Sequence, residues 1–351
     1  LAKNTAMLWK ILAAIFTTFL IIFLYFFFLG SQDFDDTTIT QKEVIFTSQG
    51  EELSATLFLP KKEFFKTAPI AIFIHGDGPQ NKTSNSGYLP LIHHLVDQGI
   101  AVFTWDKKGI DKSKGNWLNQ SITDRAVEAK DAFDFLVHDK GIAPNRIGYL
   151  GFSQGGWVIP KAAILTKPAF SVIIGGAVNW MDQGYYYTTK RLEEEGYSEQ
   201  EIKRKADSIQ QADYKLFTDF NDCTIKESEI EKDRFLFIAR NLKADSSVDL
   251  QNMQGPLLAL WGSDDLNVPA GTNAQLYQQY TSNRESDTTT IKVYPRSTHG
   301  LLNAKLFNYQ LDAQWPEWKK WLFVFQGRKA YSKDALFDIS TFILKTNKKT
   351  E

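Results

Sequence analysis

The sequence predicts an α/β domain in which a mostly parallel sheet of eight strands carries helices on both faces, with a helical insertion and one transmembrane helix before it. Three observations carry that prediction. Short runs that are apolar on both faces recur along the chain with helical stretches between them, as expected of strands buried between two helical layers. From Trp180 to Gln254 this rhythm stops, and the chain becomes charged and helical. Near the start, Ile11 to Leu29 is an uncharged run that at about 1.5 Å per helical residue nearly matches a bilayer core of about 30 Å. Composition fits such a domain: of 351 residues 43% are hydrophobic and 23% charged, which excludes disorder, and one cysteine excludes a disulfide scaffold. The balance of 40 Lys plus Arg against 41 Asp plus Glu removes the electrostatic footprint of a nucleic-acid binder.

The apolar run is read as a single-pass anchor within residues 1–30, with the membrane as its partner through residues 11–29. Lys3 and Lys10 precede it, while Asp33, Asp35 and Asp36 follow, so the basic end belongs in the cytoplasm and the rest outside, periplasmic or at the cell surface. A cleaved signal peptide, giving a secreted protein, is the weaker alternative. Its apolar core would be about 7 to 15 residues and end in small residues, whereas Phe28, Leu29 and Gly30 close this run.

Residues 31–179 and 255–327 form the two parts of the α/β core. Glu43–Ser48 and Leu53–Leu59 read as a hairpin around Gln49-Gly50-Glu51. Ile70–Ile74, Ile100–Trp105, Ile147–Phe152, Ser171–Gly175, Leu257–Trp261 and Thr290–Tyr294 supply the remaining strands, with a helix expected over Tyr88–Gln98. Ser121 with Asp124 resembles a capping box, and Ile122, Ala126, Ala129 and Phe133 then recur at helical spacing. Within the insertion, residues 180–254, Ser198 with Glu201 and Thr224 with Glu227 have the same form. Residues 328–351 hold a terminal helix striped by Leu336, Ile339, Phe342 and Ile343, and a tail that should fray from Thr346.

Gly151-Phe152-Ser153-Gln154-Gly155-Gly156 follows directly on a predicted strand and precedes a predicted helix, the setting of a nucleophile elbow. The flanking glycines Gly151 and Gly155 are expected because side chains there would collide across so sharp a turn. A glycine-rich turn without chemistry is the plain alternative. A serine hydroxyl needs a positioned base, which in this arrangement lies later in the chain. Of the five histidines, His75, His93, His94 and His138 precede Ser153, leaving His299. The third member, a carboxylate that fixes the imidazole, should lie in a loop after an intervening strand, where Asp264 and Asp265 both stand. Two backbone N–H groups should hold the oxyanion: Gln154, after the nucleophile, and Asp77, in the loop His75-Gly76-Asp77-Gly78-Pro79. His75 is expected to organise that loop by hydrogen bonding. Cys223 is a poor nucleophile candidate, since Asp222 beside it would raise a thiol pKa.

Together these residues, in the order Ser153, acid, His299, resemble the α/β-hydrolase superfamily over roughly residues 43–325. More narrowly, His75–Gln80 and Trp105–Gly115 look like the bacterial branch of dienelactone hydrolases and serine aminopeptidase-like esterases. The resemblance selects Asp265, which follows Gly262 and precedes Val268-Pro269 by the family's three-residue spacing. Two departures stand out: Lys107, Lys108 and Asp111 replace two arginines and a glycine, and Asp77 replaces a serine or other small residue. The resemblance implies a serine hydrolase of carboxylic esters or thioesters that needs neither metal nor cofactor. A peptidase on short peptides is the alternative, with Glu193, Glu194 and Glu195 as candidate amine anchors. A binding protein on the same fold is a third reading, disfavoured because every triad position is occupied. Trp180, Tyr185, Tyr186, Tyr187, Phe217 and Phe220 either pack the insertion or line an acyl pocket, and packing is favoured.

Overall fold

The computed structural model describes residues 2–61, 67–284 and 289–348. Its strands are β1 Thr40–Ser48, β2 Glu51–Leu59, β3 Ile70–Ile74, β4 Ala101–Trp105, β5 Ile147–Phe152, β6 Ser171–Ile174, β7 Leu257–Gly262 and β8 Thr289–Tyr294. Its helices begin with α1 Ala2–Ser31, α2 Leu89–Asp97, α3 Ile122–His138 and α4 Gly155–Thr166. The insertion follows as α5 Trp180–Glu194, α6 Glu199–Thr218, α7 Asp222–Glu227, α8 Lys232–Asn241 and α9 Ser247–Asn252. The chain ends with α10 Ala270–Thr281, α11 Ala304–Phe307, α12 Glu317–Gln326 and α13 Ala335–Lys348.

One sheet of eight strands runs β1-β2-β4-β3-β5-β6-β7-β8. From β4 to β8 every neighbouring pair is parallel, whereas β1 with β2 and β2 with β4 pair antiparallel. Gln49 and Gly50, at φ 51° and 83°, form the two-residue turn of the β1–β2 hairpin, whose backbone twist matches that of the strands. The hairpin strands start earlier than their apolar runs, because ladder pairing from Thr40 continues through side chains that face water. The side-chain alternation of β3 divides the core. Ile70, Ile72 and Ile74 join Ala126, Ala129, Val158 and Ile159 from α3 and α4 on one face, while Ala71 and Phe73 join Leu91, Ile92, Ile339 and Ile343 from α2 and α13 on the other.

Ser121 caps α3 and Ser198 caps α6, each in a reciprocal capping box. The third expected box is corrected. Asn221 is the cap of α7, and Thr224 is its partner three residues on, because the Asn221 carboxamide reaches the Cys223 and Thr224 N–H groups first. The expected fraying at Thr346 is also corrected: α13 runs through Thr346, whose hydroxyl donates to the Phe342 and Ile343 carbonyls, while residues 349–351 lie outside the described residues. In the insertion, Trp180 stacks on Trp157 of α4 at 5.1 Å, and Phe217 and Phe220 pack on Phe235. Its last helix, α9, returns to the main core through Leu250, with Met253 joining just after it. At the other end, Trp9–Phe34 is long and apolar enough to cross a membrane by length and composition.

Candidate active site

Ser153 sits where β5 turns into α4, with φ at 52°, a left-handed conformation uncommon for a residue bearing a Cβ. Its N–H donates to the Ile174 carbonyl at 2.8 Å, which ties the turn to the end of β6. Gly151 is required by packing, since a Cβ there would lie 2.7 Å from the Ile159 side chain and 3.1 Å from Ile74. The expectation for Gly155 is corrected: a Cβ there meets nothing nearer than 3.4 Å, and the tight position is Gly156, whose Cβ would lie 2.6 Å from Gly176. Helix α4 crosses the β6–α5 connection at that point, one residue later than the motif implies.

The loop after β8 carries His299, and the loop after β7 brings Asp265 to it. Asp265 Oδ2 is 2.7 Å from His299 Nδ1, while Oδ1 accepts the N–H groups of Asn267 and Val268 at 2.7 and 2.9 Å. Asp265 is buried, and its backbone carbonyl accepts the Tyr186 hydroxyl at 2.7 Å. Asp264 is exposed and accepts from Ser263 instead. Burial opposes protonation of His299, but the charge and hydrogen bond of Asp265, with Asp312 adding, outweigh it and raise the imidazole pKa. Gly175, at φ 63°, forms the floor under the ring; any side chain there would lie within 2.8 Å of the imidazole. No hydrogen bond joins Ser153 to His299 among the described residues; Ser153 and His299 meet the same strand end, one through Ile174 and the other beside Gly175.

On the opposite side, Gly76 lies against Ser153: a Cβ there would meet the Ser153 Cβ first, at 3.4 Å. Among the described residues, neither the Gln154 nor the Asp77 N–H donates to a protein acceptor. The Asp77 carboxylate is engaged elsewhere, by both terminal nitrogens of Arg234 on α8 at 3.1 and 2.8 Å. Burial works to raise the Asp77 pKa, but Arg234 and Lys107 bring it below the ordinary value. His75 donates from Nε2 to the Trp105 carbonyl at 2.6 Å; burial, aided by Lys107 and Arg125, lowers its pKa to about 3, so it stays neutral. His93 and His94 lie on α2 and His138 on α3, outside this cluster.

Two buried cations that sequence reasoning missed support this side. Lys107 Nζ donates to the Gly76 and Gly78 carbonyls at 2.6 and 2.8 Å. Arg125 donates to the Gln154 side-chain oxygen and, at 2.7 Å, to the His75 carbonyl, so one guanidinium joins the two loops. A signal for Arg125 existed, because it falls on the buried stripe of α3 between Ile122 and Ala129. Asp111 takes φ 47°, the left-handed conformation that explains why glycine suits its place. Glu193 pairs with Lys190 within α5, and Glu195, just past its end, with Arg191.

The family model for serine aminopeptidase, S33, matches residues 69–305. Protein YfhR of Salmonella typhimurium is 24% identical over 131 residues, 37% of this chain and 43% of YfhR, so the chain spans less than half the length of that curated relative. Among solved structures, an esterase of Pyrococcus furiosus shares the fold with a TM-score of 0.54 at 16% identity, covering 85% of this chain and 93% of the esterase. A puromycin-hydrolyzing peptidase of Mycobacterium tuberculosis gives 0.54 at 15%, covering 88% of this chain and 40% of the peptidase.

Proposed function

The chain belongs to the serine aminopeptidase S33 family of α/β-hydrolase serine hydrolases, and from that premise we propose that it cleaves carboxylic esters or thioesters through Ser153, His299 and Asp265 while anchored in a membrane by residues 11–29. The observation that carries this reading is the His299–Asp265 contact of 2.7 Å. With Oδ1 already saturated by two N–H groups, Oδ2 is left to hold Nδ1–H and direct Nε2 towards the elbow.

Ser153 Oγ attacks the acyl carbon as its proton passes to His299 Nε2, and the carbonyl oxygen becomes an oxyanion facing the N–H groups of Asp77 and Gln154. The imidazolium then protonates the leaving alkoxide or thiolate as the tetrahedral species collapses to an acyl-serine. Water attacks that ester with His299 again as base, releasing the acid and restoring Ser153.

A peptidase acting on short peptides is the second reading. Asp312 is the observation behind it: its charge acts on His299, which makes it a candidate partner for a substrate amine. The anchored reading places the catalytic part outside the cytoplasm, following Lys3 and Lys10 before the span and Asp33, Asp35 and Asp36 after it.

The test is fluorophosphonate labelling of the full chain in detergent. Label should enter Ser153 and disappear in Ser153→Ala, whose turnover should fall by about 10⁶-fold; undiminished labelling of that variant would sink the assignment. Relative kcat/KM on p-nitrophenyl esters, thioesters and aminoacyl p-nitroanilides then separates esterase from peptidase.

A further inference from the structure

Helix α12 has aromatic residues in two different surroundings. Towards the body, Phe323 packs edge-on against Phe34 at 5.2 Å and Phe307 at 5.8 Å, and buried Lys319 donates to the Leu306 carbonyl. On another side Phe325 stacks on Phe23 of α1 at 5.4 Å, and Trp321 lies 6.2 Å from Phe27. The crossing is close: a Cβ on Gly30 would overlap the carbonyls of Val324 and Phe325. Just beyond, Arg328 donates to both Asp33 carboxylate oxygens, at 2.7 Å from its N–H and 2.8 Å from Nε. Trp318 and Trp321 nevertheless remain 60% and 62% exposed.

We propose that α12 is a second membrane contact, lying in the headgroup–acyl boundary beside α1 with Trp318 and Trp321 in lipid. This rests on reading α1 as the membrane span. Phe23 and Phe27 belong to the apolar run that ends at Leu29, and at about 1.5 Å per residue Phe23 lies roughly 9 Å inside its outer end. A helix stacked on Phe23 and Phe27 is therefore held at the depth where amphipathic helices bury, about 5–10 Å into the boundary. Its open face carries tryptophan, and Lys320 and Lys329 are exposed beside it, the pairing of residues that suits this zone. The contact places the segment before α12, whose Asp312 acts on His299, next to the bilayer surface.

The test uses the full chain in vesicles of phosphatidylcholine and phosphatidylglycerol, with Cys223→Ser as background. Nitroxides are attached in turn at Trp318→Cys, Trp321→Cys, Phe16→Cys in the span and Val248→Cys on exposed α9. Oxygen and a water-soluble nickel chelate serve as collision probes. Labels at 318 and 321 should meet the chelate about tenfold less than the label at 248 and lie shallower than the label at 16. Full chelate access at 318 and 321, with 16 in lipid, overturns the proposal while leaving the span intact. Chelate access at 16 as well removes the span and the proposal together. Shielding of 318 and 321 from both probes, with spin–spin broadening, assigns the face to a second copy of the chain and also overturns it.

Discussion

The two sides of the site are held by opposite charges. On the base side a buried carboxylate, Asp265, is gripped by two N–H groups and itself grips one ring nitrogen. On the side proposed to hold the oxyanion two buried cations, Lys107 and Arg125, grip carbonyl oxygens. The contrast follows from what each side must aim. A proton acceptor is aimed by bonding the ring's other nitrogen. An N–H dipole is aimed by bonding the C=O of the same peptide, because the two point opposite ways in a trans unit. Gly76 O and Asp77 N–H share one such unit, so Lys107 holds the end opposite the N–H that the proposed mechanism assigns to the oxyanion, polarising the amide as well.

Substitutions that remove one side at a time sharpen this contrast. The largest effect is expected for Asp265→Asn, about 10⁴-fold in kcat, because the amide favours the wrong imidazole tautomer; Asp264→Asn should stay near wild type, and equal losses would erase the distinction. Lys107→Met should lower kcat by about 10²–10³-fold, the loss expected of one oxyanion donor, with KM little changed and partial recovery in Lys107→Arg. An unchanged kcat in a folded Lys107→Met protein would make the cation a packing residue only.

Smaller again is the effect of acid. His299 must be neutral to accept a proton, and its pKa is raised, so kcat/KM should climb to its plateau with a midpoint above the ordinary value of about 6.5, falling about tenfold per pH unit below it. A midpoint below that value would remove Asp265 from its role. The least effect is expected for Asp77→Ser, within about threefold of wild type, since the N–H remains and the half-exposed pair with Arg234 is worth at most about 1 kcal/mol. A large drop in kcat would give the carboxylate itself a part in the chemistry.

The contrast also explains what could be read beforehand. His299 was legible because chemistry admits few residue types and chain order removed four histidines. Asp265 needed the family spacing, since Asp264 has identical chemistry. The cations were harder to read: any N–H donor can hold a carbonyl, so their residue type carries no signature, and only the place of Arg125 on the buried stripe of α3 gave a signal. The strands were legible through periodicity, but the crossing of α12 over α1 was not: the run Trp321–Phe325 falls in the stretch assigned to the α/β core, and its partner lies at the far end of the chain. At α7 the pattern misled because Asn, Ser and Thr all accept the same N–H bonds.

The clasp of Asp33 by Arg328, set against the Gly30 crossing, has a kinetic meaning. A catalytic body joined to its span by a floppy linker samples a deep shell of solution, and its turnover follows bulk substrate concentration. A body clamped within a few residues of the span samples only a thin layer. Under the anchored reading, turnover on a membrane-resident ester would follow its mole fraction in the bilayer, and diluting that ester with inert lipid would slow the reaction even at constant total amount.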